Sequence, residues 1–202
     1  MPSKISPFLA LKFPVFRNYL LGSFVSEIGN QMQVVAVAWQ VYILTRNPVS
    51  LGLIGVANLL PIIFFSLIGG LIADKIDRRK LLLASQSAQA VLALILFLLS
   101  NFVLINPLLI YLILFLVATA QSFSIPARQA VIPHLVPKQY FMNAISLGTL
   151  QFQTATMIGP AIAGFLIGGV GVSVVYFINA LSFLFFIGAI LTINVTLQKH
   201  DS

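Results

Sequence analysis

The chain has 202 residues, 59% of them hydrophobic and only 7% charged, with a net charge of +7 and no cysteine. A soluble domain carries about 25% charged residues to wet its surface, so a water-solvated exterior is excluded and lipid is the expected solvent. Disulfides and cysteine–metal sites are excluded too, and the basic residues fall in loops between apolar runs, which argues against a nucleic-acid partner.

Residues 1–17, with Lys4, Lys12 and Arg17, are predicted as a cytoplasmic N-terminus whose Leu9–Phe16 segment lies along the membrane interface. The apolar run that follows is far longer than the roughly 7–15 residues of a signal-peptide core, so it reads as a retained first helix. A bilayer crossing takes about 20 helical residues. On that measure residues 18–195 form a transmembrane domain of six helices: Asn18–Leu44, Ser50–Ala73, Leu81–Ser100, Pro107–Phe123, Asn143–Ile167 and Val172–Val195. Asn101 and Asn106-Pro107 split the uncharged stretch after Leu81, and Gly168-Gly169-Val170-Gly171 splits the one after Gln139. Residues 196–202 are predicted as a cytoplasmic tail. Tyr19, Tyr42 and Tyr140 fall near expected interfaces.

Orientation follows from lysine and arginine. With the N-terminus inside, Lys4, Lys12, Arg17, Lys75, Arg78, Arg79, Lys80, Arg128, Lys138 and Lys199 are cytoplasmic and Arg46 alone is outside. Both termini are therefore predicted in the cytoplasm, in a multi-pass protein of the inner or plasma membrane.

The first helix carries Ser23, Glu27, Asn30 and Gln31 on one stripe. Glu27 lies nine residues past Asn18, about 13 Å along a helix, close to the bilayer midplane. A carboxylate there costs on the order of 2.5–3.5 kcal/mol, so the stripe must face a polar cavity or other helices. Two readings of Glu27 stand: a protonatable group coupled to transport, with Asn30 and Gln31 beside it, or a hydrogen-bonded side chain that only holds helices together. No cationic partner for it is visible in the sequence. In the fifth helix Ser146, Thr149, Gln153 and Thr156 form a polar stripe that leads into Gly159-Pro160-Ala161-Ile162-Ala163-Gly164, where tight packing and gating are both open. Asn58 and Pro61 mark a similar irregularity in the second helix. No phosphate-binding loop, His-Glu-x-x-His or Gly-x-Ser-x-Gly is present, and His134 and His200 fall in expected inner loops. The reading is of a protein that is not an enzyme and needs neither metal nor cofactor.

Between the second and third helices, Gly70-x-x-Ala73-Asp74-Lys75-x-Asp77-Arg78-Arg79 resembles the signature loop of the major facilitator superfamily, with Asp77 where many members have glycine. Gly159-Pro160-x-x-x-Gly164 resembles that family's fifth-helix antiporter motif. Phe16-Arg17, Ser26-Glu27-Ile28-Gly29-Asn30, Pro126-Ala127-Arg128-Gln129-Ala130 and His134-Leu135-Val136-Pro137 resemble its siderophore and macrolide exporter branch, the transmembrane secretion effector type. The expected fourth helix lacks the membrane arginine that many proton-coupled drug exporters carry.

The resemblance implies an all-α membrane protein forming one half, a 3+3 inverted repeat, of a major facilitator fold. Helices one and four would line a cavity, two and five the seam between halves, and three and six the periphery. It implies export of small molecules such as drugs or siderophores by alternating access coupled to protons. Gly70, Asp74, Lys75, Arg78 and Arg79 would form a conformational latch, with Asp74 capping a helix of the opposite half and Arg78 assisting; Lys75 and Arg79 would also serve orientation. Gly159, Pro160 and Gly164 would gate. A second six-helix half is the implied partner, as a separate chain or a second copy; the alternative is a half that does not transport by itself and serves membrane interaction or assembly.

Overall fold

The computed structural model describes residues 9–75 and 77–192, the side chains of 66–75 excepted. Among them are six long helices, α1 (Pro14–Thr45), α2 (Val49–Lys75), α3 (Arg78–Asn101), α4 (Pro107–Leu135), α5 (Phe141–Gly169) and α6 (Val172–Leu191), and no strand. They occupy the six apolar runs of the sequence. α3, α4, the stretch Lys138–Gly169 and α6 are each long and apolar enough to cross a bilayer, and Val49–Phe65 of α2 is a shorter apolar stretch. α1 is the longest, at 32 residues, and is diluted by its polar side chains.

The helix ends follow from local chemistry. Pro14 and Pro107 sit at first helical positions, where a missing N–H costs nothing. Asp77 caps α3 by accepting from the Arg79 and Lys80 amides at 2.8 and 3.4 Å, and Asn106 caps α4 through the Leu109 amide at 2.9 Å. α5 stops where Gly171 takes φ +107°, a left-handed conformation a side chain would resist. α4 stops before Pro137, which holds Val136 extended.

The Leu9–Lys12 segment forms a short helical turn packed against α1 and α5, with Ala10 fully buried. One helix end differs from the sequence reading. α4 runs on past Phe123, through Pro126 and Pro133, to Leu135, which puts Arg128 and His134 on a helix and not in a loop. The residues from 193 onward, including the expected end of the sixth helix and the tail, lie outside the described residues.

The helices alternate in direction. One core cluster joins Phe16 and Tyr19 of α1 to Leu82 of α3, Val131 of α4, Leu147 of α5 and Phe186 of α6. A second, at the opposite end, joins Val37 and Val41 of α1 to Leu96 of α3, Ile110 of α4, Ala163 of α5 and Tyr176 of α6. α1 packs on α5 and α6, α4 packs on α2 and α3, and α3 packs on α6. Exchanging one for four, two for five and three for six maps this pairing onto itself, as an inverted repeat of three helices does. Lys12, Arg17, Arg78, Arg79, Lys80 and Lys138 belong to the first end and Arg46 to the second.

α1 and α6 are held together by small residues and amides. A Cβ on Gly22 would collide with the Ala189 and Phe186 side chains, and one on Gly29 with Ser182 and Asn179, so the two helices lie almost backbone to backbone. Asn179 Nδ2 donates to Gln33 Oε1 at 2.8 Å, and Tyr176 OH donates to Gln40 Oε1 at 2.7 Å. Gln40 Nε2 donates in turn to Ser100 Oγ of α3 at 2.8 Å. Large apolar side chains such as Phe165, Met157, Leu108 and Phe64 are exposed on the outer faces, which only a lipid surround or partner helices would solvate.

Candidate functional site

A cavity of about 910 Å³ opens on the face made by α1, α2, α4 and α5, with Gln89 contributed by α3. Its walls are largely apolar, with carboxamides from Asn30, Gln31, Asn58, Gln121, Gln129 and Gln151 among the polar groups. Glu27 and Arg128 are the charged side chains among the described residues that line it.

These two form a pair. Arg128 Nη1 stands 3.9 Å from Glu27 Oε2, with the two side chains 20% and 14% exposed. The spacing exceeds the roughly 2.7–2.9 Å of a charge-assisted hydrogen bond. The carboxylate is bonded on its other oxygen, where Gln31 Nε2 donates to Oε1 at 3.0 Å. Arg128 Nη1 donates to Ser23 Oγ at 3.2 Å and Nε to Ser124 Oγ at 3.4 Å, and its guanidinium lies over the Phe186 ring, 4.7 Å from the centroid. Ser124 Oγ accepts from Gln86 of α3 at 2.9 Å, and Ser23 Oγ from Gln151 of α5 at 3.0 Å. One cation thereby ties together α1, α3, α4, α5 and α6.

The extension of α4 explains why the sequence showed neither a partner for Glu27 nor an arginine on the fourth helix. Ending that helix at Phe123 assigned Arg128 to a loop, where its charge counted only toward orientation. The arginine stays inside because Ser23, Ser124, Glu27 and Phe186 replace its water. Gln151, Ser124 and Gln86 were also missed. Gln86 belongs to a buried row with Leu82, Gln89, Ala93 and Leu96, whose helical spacing was the available signal.

Of the expected first-helix residues, Glu27, Asn30 and Gln31 all line the cavity. In α5, Gly159 packs against α1: a Cβ there would come within 2.5 Å of Gln31 Cβ and 3.1 Å of the Ile28 carbonyl. Gly164 faces open space and Pro160 is half-buried within the helix. Ser146 and Thr149 hydroxyls donate to the Met142 and Ile145 carbonyls of their own helix.

In the signature loop, Arg78 Nη1 donates to the Ala130 carbonyl at 3.2 Å and meets His134 Nε2 at 3.0 Å, tying the start of α3 to the end of α4. Arg79 Nη2 donates to the Leu191 carbonyl at 2.8 Å, satisfying an orphan acceptor at the end of α6. Gly70, Asp74 and Lys75 fall on the last turns of α2, where side chains lie outside the described residues.

A family model described as transmembrane secretion effector matches residues 5–201. The chain belongs to this family of the major facilitator superfamily. It is therefore a multi-pass membrane protein of a transporter family, not an enzyme. It is 25% identical over 178 residues to the uncharacterized MFS-type transporter YfiS of Bacillus subtilis, covering 84% of this chain and 41% of that protein. It is 31% identical over 149 residues to the staphyloferrin A transporter of Staphylococcus aureus, covering 73% and 38%. It is 28% identical over 162 residues to the enterobactin exporter EntS of Escherichia coli O127:H6, covering 79% and 38%. The chain thus spans about two fifths of the length of these curated relatives. No solved structure matches it. This member of the family presents its pair of charges on α1 and α4.

Proposed function

We propose that this chain is the six-helix half-unit of an exporter that moves small molecules out of the cytoplasm by alternating access, with the Glu27–Arg128 pair as the element that couples export to protons. The observation that carries this reading is the pair itself: a carboxylate and a guanidinium at 3.9 Å on the wall of a 910 Å³ cavity. Ionisable groups inside a membrane are costly and mark proton relays and substrate paths. The names of the staphyloferrin A and enterobactin relatives favour siderophores or drug-like molecules as the cargo. In this reading all six helices cross the inner or plasma membrane, residues 18–195 being the spanning domain, and both termini lie in the cytoplasm at the arginine- and lysine-rich end.

The cavity opens toward a second six-helix unit across a seam formed by α2 and α5. Asp74 and Arg78 latch that seam, with Gly70, Lys75 and Arg79 shaping the loop, and Gly159, Pro160 and Gly164 serve the gate through α5, which Gly159 seats closely on α1. The test is Glu27→Gln in cells that carry the chain with whatever partner co-purifies. Expression is retained and proton-driven efflux of a labelled siderophore or drug is lost; unchanged coupling overturns the reading. A second reading, in which the unit does not transport by itself and serves membrane interaction or assembly, draws on the large apolar side chains exposed on its outer faces. Light scattering of the purified protein, with detergent mass subtracted, separates them: an assembly of two six-helix units supports the transporter, and a lone 22.0 kDa chain supports the second reading.

A further inference from the structure

Four groups hold Arg128, and they come from three helices. Ser23 accepts from Nη1 on the α1 side, Ser124 accepts from Nε along α4, Glu27 attracts across 3.9 Å, and the Phe186 ring receives the guanidinium face at 4.7 Å from its centroid. Phe186 comes from α6, the helix that the family resemblance assigns to the periphery. Its position is fixed by its neighbours. The ring is fully buried, Tyr19 meets it edge-on at 5.5 Å, and Gly22 leaves only enough room for it, since a Cβ on Gly22 would lie 3.1 Å from its Cδ2. A desolvated guanidinium is drawn to an aromatic face by the ring quadrupole. With Nη1 already so near the carboxylate, a shift of about 1 Å would close a direct charge-assisted hydrogen bond.

We propose that Phe186 is a positioning residue for the charge pair: its ring holds the Arg128 guanidinium just out of bonding reach of Glu27, keeping the pair separable. This rests on the reading of that pair as the coupling element, and adds how its strength is set. A closed pair would have to break a charge-assisted hydrogen bond before a proton or a cargo group could displace the arginine; a spaced one has no such bond to break. The electrostatics of the site are simple enough to isolate the effect. Tyr19 is the other titratable residue among the described residues lining the cavity, and α2, α3 and α5 contribute none.

The test replaces Phe186 in the full chain with phenylalanines bearing one, two and three ring fluorines, which drain the quadrupole while nearly preserving shape. The carboxylate stretch of Glu27, assigned by its loss in Glu27→Gln, is read by infrared spectroscopy at constant pH in the purified protein. As the ring weakens, Arg128 closes on Glu27 and the band shifts stepwise across the series toward that of a directly hydrogen-bonded carboxylate. A band that stays in place or shifts the other way overturns the proposal. The spectrum does not depend on transport. If Glu27→Gln leaves efflux intact while the fluorine series still shifts the band, the coupling reading fails and the positioning role stands.

Discussion

Gly159 of α5 lies directly against Gln31 of α1, so near that a methyl group on the glycine would sit 2.5 Å from Gln31 Cβ. Gln31 donates to Glu27, and Glu27 faces Arg128. The fifth-helix glycine motif and the charge pair are thus mechanically continuous, through one carboxamide. Gly159→Ala is expected to destabilise the protein by about 1–3 kcal/mol through overpacking and to disturb the Gln31–Glu27 hydrogen bond. Gly164→Ala, with open space around it, should be neutral or stabilising by up to about 1 kcal/mol. Denaturation in detergent compares the two. Equal effects would mean that α1 and α5 do not meet at Gly159.

Breaking the charge pair from one side should be worse than removing both charges. Arg128→Met leaves Glu27 with a single hydrogen bond and no cation, at an expected cost of about 3–5 kcal/mol. Adding Glu27→Gln to that variant should recover much of the loss. A double-mutant cycle on unfolding free energies reads the coupling; additive effects would show that the two groups do not interact.

Asp77, the residue that departs from the usual glycine of the signature loop, has a local role in starting α3. Asp77→Ala should cost about 1 kcal/mol and raise hydrogen exchange at the Arg79 and Lys80 amides, while Asp77→Asn should retain most of the cap. If Asp77→Ala leaves those amides as protected as before, the cap contributes nothing.

The chain has no cysteine, so single cysteines report topology without background. Arg46→Cys, between α1 and α2, should react with a membrane-impermeant maleimide added to intact cells, and Lys138→Cys, between α4 and α5, only after the cells are opened. The reverse pattern would invert the orientation read from the basic residues.

The places where sequence reasoning held and where it failed have a common physical cause. The six helices were legible because apolar runs of membrane length admit few alternatives, and Asn106-Pro107 and Gly171 end helices by chemistry visible in one dimension. Glu27, Asn30 and Gln31 were legible as one face because helical spacing puts them there. Arg128 was not, because a charge inside an apolar run reads as the end of that run unless its partners are known. Those partners, Ser23, Glu27 and Phe186, lie on helices distant in sequence. Gly159 was marked as a close-packing position, but nothing in the sequence could name Gln31 as the neighbour. The fate of Arg79 was equally hidden: its carbonyl partner belongs to Leu191, more than a hundred positions away.

The guanidinium of Arg128 acts as a keystone. Its ligands, and theirs, come from α1, α3, α4, α5 and α6. The glycine contacts and amide bridges between α1 and α6 extend the same stiffness along the whole of α1. Reshaping the cavity wall from within would break several of these joints together and leave buried polar atoms bare. Tilting the bundle as one body against a neighbour breaks none of them. Stiffness of this kind leaves no soft joint between the helices, so a force applied at one end of the wall is carried along its whole length.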